Sequence, residues 1–524
     1  MALEIPGQFN IADYFIERPA REHPQRIAIL GEPAALTYGE LAALVHRAAA
    51  ALRASGCRPG DRVLIVLPDS AEFIAAFFGA AKIGAVAVPV NSSTRSPDYA
   101  YYLADSGARF AIVHASSLPE FLPGMLGHRP EALIIVGHPG DATRISGARN
   151  WSDWLAPASS VADSHATSST DTAFFLYTSG SGGTPKAAVH QHKDMLVCAL
   201  SYAQGVLGIQ PFDRTFSVSK LFFAYGLGNG MYFPFSVGAA TVLNPERPRP
   251  EKIAELLVRH RPSVFFSVPT VYNLLLREAE RGLAIDFSSV RLAVSAGEAL
   301  PAEIFEQFRA RFGLKIVDGI GSTEMLQMFI SNRPGEARPG TCGREVPNYE
   351  AVILDESGHP VRTGEIGNLW VRGQSAFAQY WNKPELTAAT NDGVRVNTGD
   401  KFFCDVEGFY HYCGRSDDMM KVSGMWVSPG EVENAMLGHP LVAEAAVVSS
   451  MDPSGLLRPV AYLVLRGGAD ASPQLAREIL HDLRSRLAGF KCPQEVHFLA
   501  ELPKTATGKI QRFRLRQGAP GAKP

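Results

Sequence analysis

Short β-branched and aromatic runs alternate with amphipathic segments from Arg62 to Phe312, and this alternation narrows the fold more than any other feature. Strands are predicted over 62–67, 85–90, 110–113, 133–136, 240–243, 264–268 and 292–295, with helices over 71–83, 251–261, 271–280 and 302–312 among them. A strand, a covering helix and a second strand make a parallel unit buried on both faces, so parallel sheets layered with helices are expected. From Ala351 to about Gly414 the pattern changes to short strands and turns, at 352–354, 368–371 and 409–412. A compact α+β pattern follows, with helices over 429–437 and 474–487 and strands over 445–448, 460–465 and 496–499. At 524 residues the chain exceeds what one core supports, and a boundary is expected near Arg415–Asp418.

The stretch Tyr177-Thr178-Ser179-Gly180-Ser181-Gly182-Gly183-Thr184-Pro185-Lys186 follows the apolar run Phe174-Phe175-Leu176. Glycines let backbone approach an anion, hydroxyls and N–H groups donate to its oxygens, and a lysine adds charge, which is the composition of a phosphate cradle. It is not a P-loop, because Lys186 is followed by Ala187 where that motif needs a hydroxyl for Mg²⁺. Taken alone, the stretch also reads as an ordinary Gly/Ser surface loop.

Composition excludes several classes. A net charge of −2 with 19% charged residues gives no basic excess for nucleic acid or a membrane surface. The longest apolar run, Phe73 to Val90, contains Lys82 and Pro89 and reads as a helix and a strand, not a span. Six scattered cysteines lack metal-ligand spacing, and the N-terminus lacks a targeting pattern, so reduced thiols and a cytoplasmic location are expected.

Further signals follow the loop in order: Ser295-Ala296-Gly297-Glu298-Ala299, Asp318-Gly319-Ile320-Gly321-Ser322-Thr323-Glu324, Thr398-Gly399-Asp400, Gly414-Arg415-Ser416-Asp417-Asp418, and Pro503-Lys504-Thr505-Ala506-Thr507-Gly508-Lys509. Together they resemble the adenylate-forming superfamily of acyl- and aryl-CoA ligases, luciferases and peptide-synthetase adenylation domains, over essentially the whole chain. The stretches 219–229, 295–325 and 503–515 are similar to bacterial benzoate-type CoA ligases. The resemblance implies an α/β fold: a large N-terminal domain, 1–416, of two αβ-layered subdomains plus a distorted β-barrel, and a small mobile α+β C-terminal domain, 417–524.

It also implies ATP and Mg²⁺ as cofactors, CoA as co-substrate and an aromatic carboxylic acid as substrate. In that reading Thr178, Ser179, Gly180, Ser181, Gly183, Thr184 and Lys186 hold phosphates. Ser295, Ala296, Gly297, Glu298, Asp318, Gly319, Ile320, Gly321 and Ser322 line the nucleotide. Thr323 contacts phosphate, Glu324 holds Mg²⁺, Asp400 binds the ribose with Arg415 adding donors, and Lys509 supplies charge in the adenylation step. Asp417 is the hinge, and Ser423, Gly424, Met425 and Trp426 line the CoA tunnel. Phe223, Ala224, Tyr225, Gly319, Gly321, Gln327 and Met328 form the aryl pocket.

Two positions in the loop depart from the family: Gly182 stands where a hydroxyl is usual, and Ala187 where Gly is usual, so a changed ATP affinity is expected. Gln327 departs as well, since similar benzoate-type ligases carry His there. A glutamine amide can meet a polar substituent without titrating, which places an amino- or hydroxybenzoate, 2-aminobenzoate (anthranilate) first, ahead of benzoate. The bland reading is that Gln327 satisfies a neighbouring backbone group. Also open are an adenylating enzyme that loads a carrier protein, a non-catalytic nucleotide-binding module, a homodimer, and a downstream enzyme that uses the acyl-CoA.

Overall fold

A computed structural model describes residues 3–31, 35–138, 145–157, 163–179, 184–416, 418–422, 425–451, 457–467, 469–504 and 510–516. An eight-stranded sheet runs in the order Gln379–Tyr380, Pro185–Gln191, Thr172–Ser179, Val86–Pro89, Arg62–Val66, Phe110–His114, Ala132–Val136, Ala148–Asn150. It is parallel from Thr172–Ser179 onward. A nine-stranded sheet has Ala240–Val242, Arg214–Ser217, Val264–Ser267, Leu292–Ser295 and Ile316–Gly321 side by side and parallel, with antiparallel strands at both edges.

Side-chain alternation shows why these strands are apolar throughout. In Arg62–Val66, Val63 and Ile65 enter the core between the two sheets, while Leu64 and Val66 meet Tyr99, Leu103 and Phe121 on the outer face. In Val264–Ser267, Phe266 faces inward, and Phe265 packs outward with Leu257, Tyr272 and Phe308 from the covering helices. Helices Tyr38–Ala54 and Ala71–Lys82 fill the space between the sheets, started by side-chain caps from Thr37 and Ser70. The strand at 292–295 and the helix at 302–312 fall where the pattern predicts, and the other ends between 62 and 312 shift by a residue or two.

Where the distorted barrel is expected, Tyr349–Leu354, Gly367–Gly373, Val396–Cys404 and Tyr410–Arg415 form a four-stranded antiparallel sheet, and among the described residues no ladder joins its outer strands. Beyond it, helices Pro429–Leu437 and Pro473–Arg486 cover one face of the sheet Val442–Met451, Leu457–Leu465, Glu495–Phe498, and Leu502 and Leu515 cover the other. The first of these strands is longer than its apolar run at 445–448, because Glu444, Ser449 and Ser450 stay in the ladder with Leu457–Leu465. No helix among the described residues is long and apolar enough to cross a membrane.

Candidate active site

The glycine-hydroxyl stretch lies between two antiparallel hairpin strands, Thr172–Ser179 and Pro185–Gln191, so a strand and not a helix follows it. Thr178 and Lys186 are cross-strand partners at its base. The short strand Gln379–Tyr380 pairs with Pro185–Gln191 and sets Tyr380 beside Lys186. The Lys186 ammonium donates to the Tyr380 hydroxyl and lies 4.1 Å from its ring centroid. It also lies 3.3 Å from Glu324 Oε1, to which the Tyr380 hydroxyl donates at 2.5 Å. Burial by itself would raise the Glu324 carboxyl, but the Lys186 charge and the Tyr380 hydroxyl outweigh it and hold the carboxyl below its ordinary value. Glu324 is therefore an ionised carboxylate at the base of the glycine-hydroxyl hairpin. Ala187, in contrast, puts its methyl into the outer core of the sheet.

The turn carrying Glu324 is tied from several sides. The Phe377 N–H donates to the Glu324 carbonyl at 2.7 Å, and the Ser322 hydroxyl accepts from Met325 N at 3.2 Å. The Thr323 carbonyl accepts from Leu326 N at 3.0 Å and from His190 Nε2 at 2.8 Å. His190 is fully buried, its Nδ1 lies 2.9 Å from the Asp194 carboxylate, and its ring stacks on Phe174. Both nitrogens face acceptor oxygens, which fixes the ring's orientation. Leu326, also fully buried, has φ +66°, a left-handed conformation that costs an L-residue roughly 1–2 kcal/mol. This reversal turns Glu324 toward the hairpin and Gln327 toward Ala224 and Tyr225.

Asp400 is buried and paired across its sheet with Arg415, which donates to its carboxylate at 3.0 Å and to the Thr398 carbonyl at 2.9 Å. Gly399, at φ +71°, lets the chain turn there, and a Cβ would lie 2.9 Å from the Arg415 guanidinium. The charge of Glu324 also acts on Arg415, so the two clusters lie near each other. Ser295 and Asp318 are partners on adjacent strands, and Ser295 Oγ and Asp318 Oδ1 are buried without a hydrogen-bond partner among the described residues. Burial pushes the Asp318 carboxyl well above its ordinary range. Next to them run Ala296, which is buried, Gly297 at φ +88° and Glu298, which accepts from the Thr270 hydroxyl at 2.7 Å.

The predicted aryl wall is also assembled. Gln327 Nε2 donates to the carbonyls of Ala224 and Tyr225 at 3.0 and 3.1 Å. The Tyr225 hydroxyl donates to the Ser267 and Val294 carbonyls at 3.2 and 3.4 Å. Gly319 and Gly321 admit no side chain, since a Cβ would lie 2.8 Å from the Ile330 carbonyl oxygen and 2.6 Å from that of Gln327. Ile320 pairs with Ile330, and Met328 sits opposite Gly321 in the large core. Phe223 is half-buried against Phe222, with centroids 4.5 Å apart.

Thr184 is exposed beside the hairpin tip. Gly180, Ser181, Gly182, Gly183, Asp417, Ser423, Gly424 and Lys509 lie outside the described residues, as do the side chains of Ser179, Met425 and Trp426. Sequence reasoning missed Tyr380, His190 and Asp194. Tyr380 sits in an aromatic Phe377–Trp381 segment that reads as core, and only strand pairing carries it to Lys186. A His four residues before an Asp was the available signal for the other pair.

Residues 16–381 match the family described as AMP-binding enzyme, and residues 431–509 match the AMP-binding enzyme C-terminal domain. The chain is 44% identical to the benzoate–CoA ligase of Thauera aromatica over 98% of this chain and 97% of that one. Its fold is similar to the structure of a benzoate CoA ligase from Burkholderia xenovorans LB400, with TM-score 0.89, 41% identity and coverage of 97% and 100%. It is similar also to the anthranilate CoA ligase AuaEII in complex with anthranoyl-AMP, with TM-score 0.93, 38% identity and coverage of 98% of each chain.

Proposed function

Because the chain belongs to the AMP-binding enzyme family, we propose that it is an aryl-CoA ligase acting on a benzoate-type acid with ATP, Mg²⁺ and CoA. The observation that carries this reading is the ionised Glu324, held between Lys186 and Tyr380 at the base of the glycine-hydroxyl hairpin. A carboxylate is a poor acyl donor because its leaving group would be oxide. Its oxygen attacks the α-phosphorus of ATP and pyrophosphate leaves, giving an acyl-adenylate; the CoA thiolate then attacks the acyl carbon and AMP leaves. Both steps depend on positioning and on neutralising charge.

Mg²⁺ binds through one or two carboxylates together with phosphate oxygens and retained waters, so a lone ionised Glu324 fits it. Consistently, the described residues contain no cluster of three or more His, Cys, Asp or Glu that could hold a metal by itself. When bound, Mg²⁺ neutralises the triphosphate. Lys186 and the hydroxyls of Thr178 and Thr184 meet phosphate oxygens, and Asp400 accepts from the ribose hydroxyls. In this reading the stretches 295–298 and 318–322, on neighbouring strands, line the nucleotide. Lys509 brings its charge to the carboxylate and α-phosphate, then withdraws as residues 417–524 turn about Asp417 and the stretch 423–426 meets CoA. Six free thiols accord with a cytoplasmic setting.

An ATP- and CoA-dependent AMP-release screen over benzoate and its amino and hydroxy derivatives tests the proposal. AMP release that needs both an aryl acid and CoA is expected, and pyrophosphate exchange without CoA-dependent turnover would point to a carrier protein as acceptor. Lys509→Ala is expected to cripple adenylation far more than thioester formation from supplied aryl-adenylate; equal losses would remove its assigned role.

A further inference from the structure

Resting on the reading of this pocket as an aryl-acid site, we propose that Gln327 Oε1 is a dedicated acceptor for a hydrogen-bond donor on the substrate ring. The protein then selects acids bearing an amino or hydroxyl group over benzoate and over acids of the same size that lack an N–H or O–H.

Gln327 is 2% exposed, and its Nε2 is engaged with the carbonyls of Ala224 and Tyr225. The opposite amide orientation would press Oε1 against two carbonyl oxygens, so the amide cannot flip to suit a substrate. Oε1 is buried and has no partner among the described residues. A buried carbonyl without a donor is costly, and a substrate that supplies one recovers that cost. The amide is anchored to the carbonyls of Ala224 and Tyr225, two residues read as the aryl wall, so its unpartnered oxygen lies beside that wall.

The surroundings share this character. Gly228 lies against the amide, where a Cβ would sit 2.3 Å from Gln327 Nε2 and 3.1 Å from the Tyr232 hydroxyl oxygen, so only glycine lets both approach. The Tyr232 hydroxyl and the Asn229 amide are buried as well, the first beside the Cys198 thiol and the second beside the Tyr225 hydroxyl. Because the Gln327 donors are locked and its acceptor is open, a neutral aromatic amine or phenol fits it. A methyl, fluoro or methoxy group does not.

The test is kcat/KM for AMP formation by the full chain with ATP, Mg²⁺ and CoA. Matched acids are compared at the ortho, meta and para positions: amino against methyl, and hydroxyl against fluoro, with benzoate alongside. At one ring position the donor-bearing acid is expected to exceed its isostere and benzoate by about ten- to hundredfold. Gln327→Met is expected to bring that ratio close to one; the ratio is read within each enzyme, so a general loss of activity cancels. A wild-type ratio near one at all three positions overturns the proposal. A ratio that survives Gln327→Met overturns it as well. Should that variant not fold, Gln327→His provides the second arm, its ring altering the acceptor, and an unmoved ratio there counts against the proposal equally. Failure of the aryl-CoA ligase reading looks different, because no ring acid, benzoate included, would release AMP.

Discussion

Lys82 and Lys186 each lie against a glutamate, at 2.8 Å from Glu17 and 3.3 Å from Glu324, yet the two pairs have different surroundings. Lys82 projects from the end of helix Ala71–Lys82 with its side chain 1% exposed, and it also donates to Ser164 Oγ at 3.1 Å, while Glu17 takes His46 at 2.5 Å. Every charge there has a protein partner, so the cluster joins the N-terminal helical turn to helices Tyr38–Ala54 and Ala71–Lys82 and offers nothing to a ligand. Lys186 is 18% exposed at the base of a glycine-hydroxyl hairpin, and Glu324 sits on a strained turn. The pairs teach that a buried lysine–glutamate contact carries no functional meaning by itself; what sets the second apart is the glycine-hydroxyl stretch beside it.

Breaking the Lys82 pair should cost the most. Lys82→Met leaves Glu17 partly buried with only His46 beside it, and a loss of about 3–5 kcal/mol in urea unfolding is expected with kcat/KM nearly unchanged. A collapse of kcat/KM at temperatures where the variant is folded would erase the contrast between the pairs.

Glu324→Gln should invert that outcome. Adenylation is expected to fall by about 10²–10³, the scale of losing one charge-stabilising group, with little change in unfolding. Titrating Mg²⁺ checks the cause, because a variant lacking the carboxylate should need more metal for its residual rate.

Acidity sharpens the comparison further. Burial, offset by His46 and Lys82, leaves the Glu17 carboxyl below its ordinary value of 4.5. A lowered folded-state value stabilises the protein above the unfolded value, and that contribution is lost as pH falls through the folded one. Wild type should therefore hold its Tm down to about pH 4.5 as far as this group is concerned, and lose it below. In Lys82→Met burial is less opposed and the folded value moves up toward the unfolded one, so the fall in Tm below about pH 4.5 should be smaller than in wild type. Identical Tm profiles for the two proteins would show that Lys82 does not set the Glu17 ionisation.

The smallest effects belong to the groups that hold Glu324 in place. Tyr380→Phe keeps the ring against Phe377 but removes the hydroxyl shared by Lys186 and Glu324. About a tenfold fall in adenylation is expected, with thioester formation from supplied adenylate spared. His190→Phe keeps the stack on Phe174 and loses both hydrogen bonds, and should raise KM for MgATP more than it lowers kcat, by about three- to tenfold. Equal effects on both parameters, or a matching loss of stability, would mark His190 as purely structural.

Much of this was legible in the chain because its signals are local. Period-two and helical patterns arise from neighbouring residues, so strand Leu292–Ser295 and helices Ala302–Phe312 and Pro429–Leu437 could be drawn from them directly. Glycine-hydroxyl and Thr-Glu stretches likewise announce phosphate chemistry through residue type. The reach of the C-terminal strand Val442–Met451 was less legible, because its polar ends are held by pairing and not by their own pattern.

What lay beyond the sequence was any property decided by a distant partner. Tyr380 stands 194 residues from Lys186 and 56 from Glu324, and only the pairing of Gln379–Tyr380 with the hairpin brings the three together. Gln327 is the sharpest case. The sequence determined that an amide, with donors at one end and an acceptor at the other, stands where a histidine is usual in similar ligases. Which end remains open was decided by carbonyls 103 and 102 residues away, on Ala224 and Tyr225. A side chain's chemistry is local, but the part of it left unsatisfied depends on what the fold places against it.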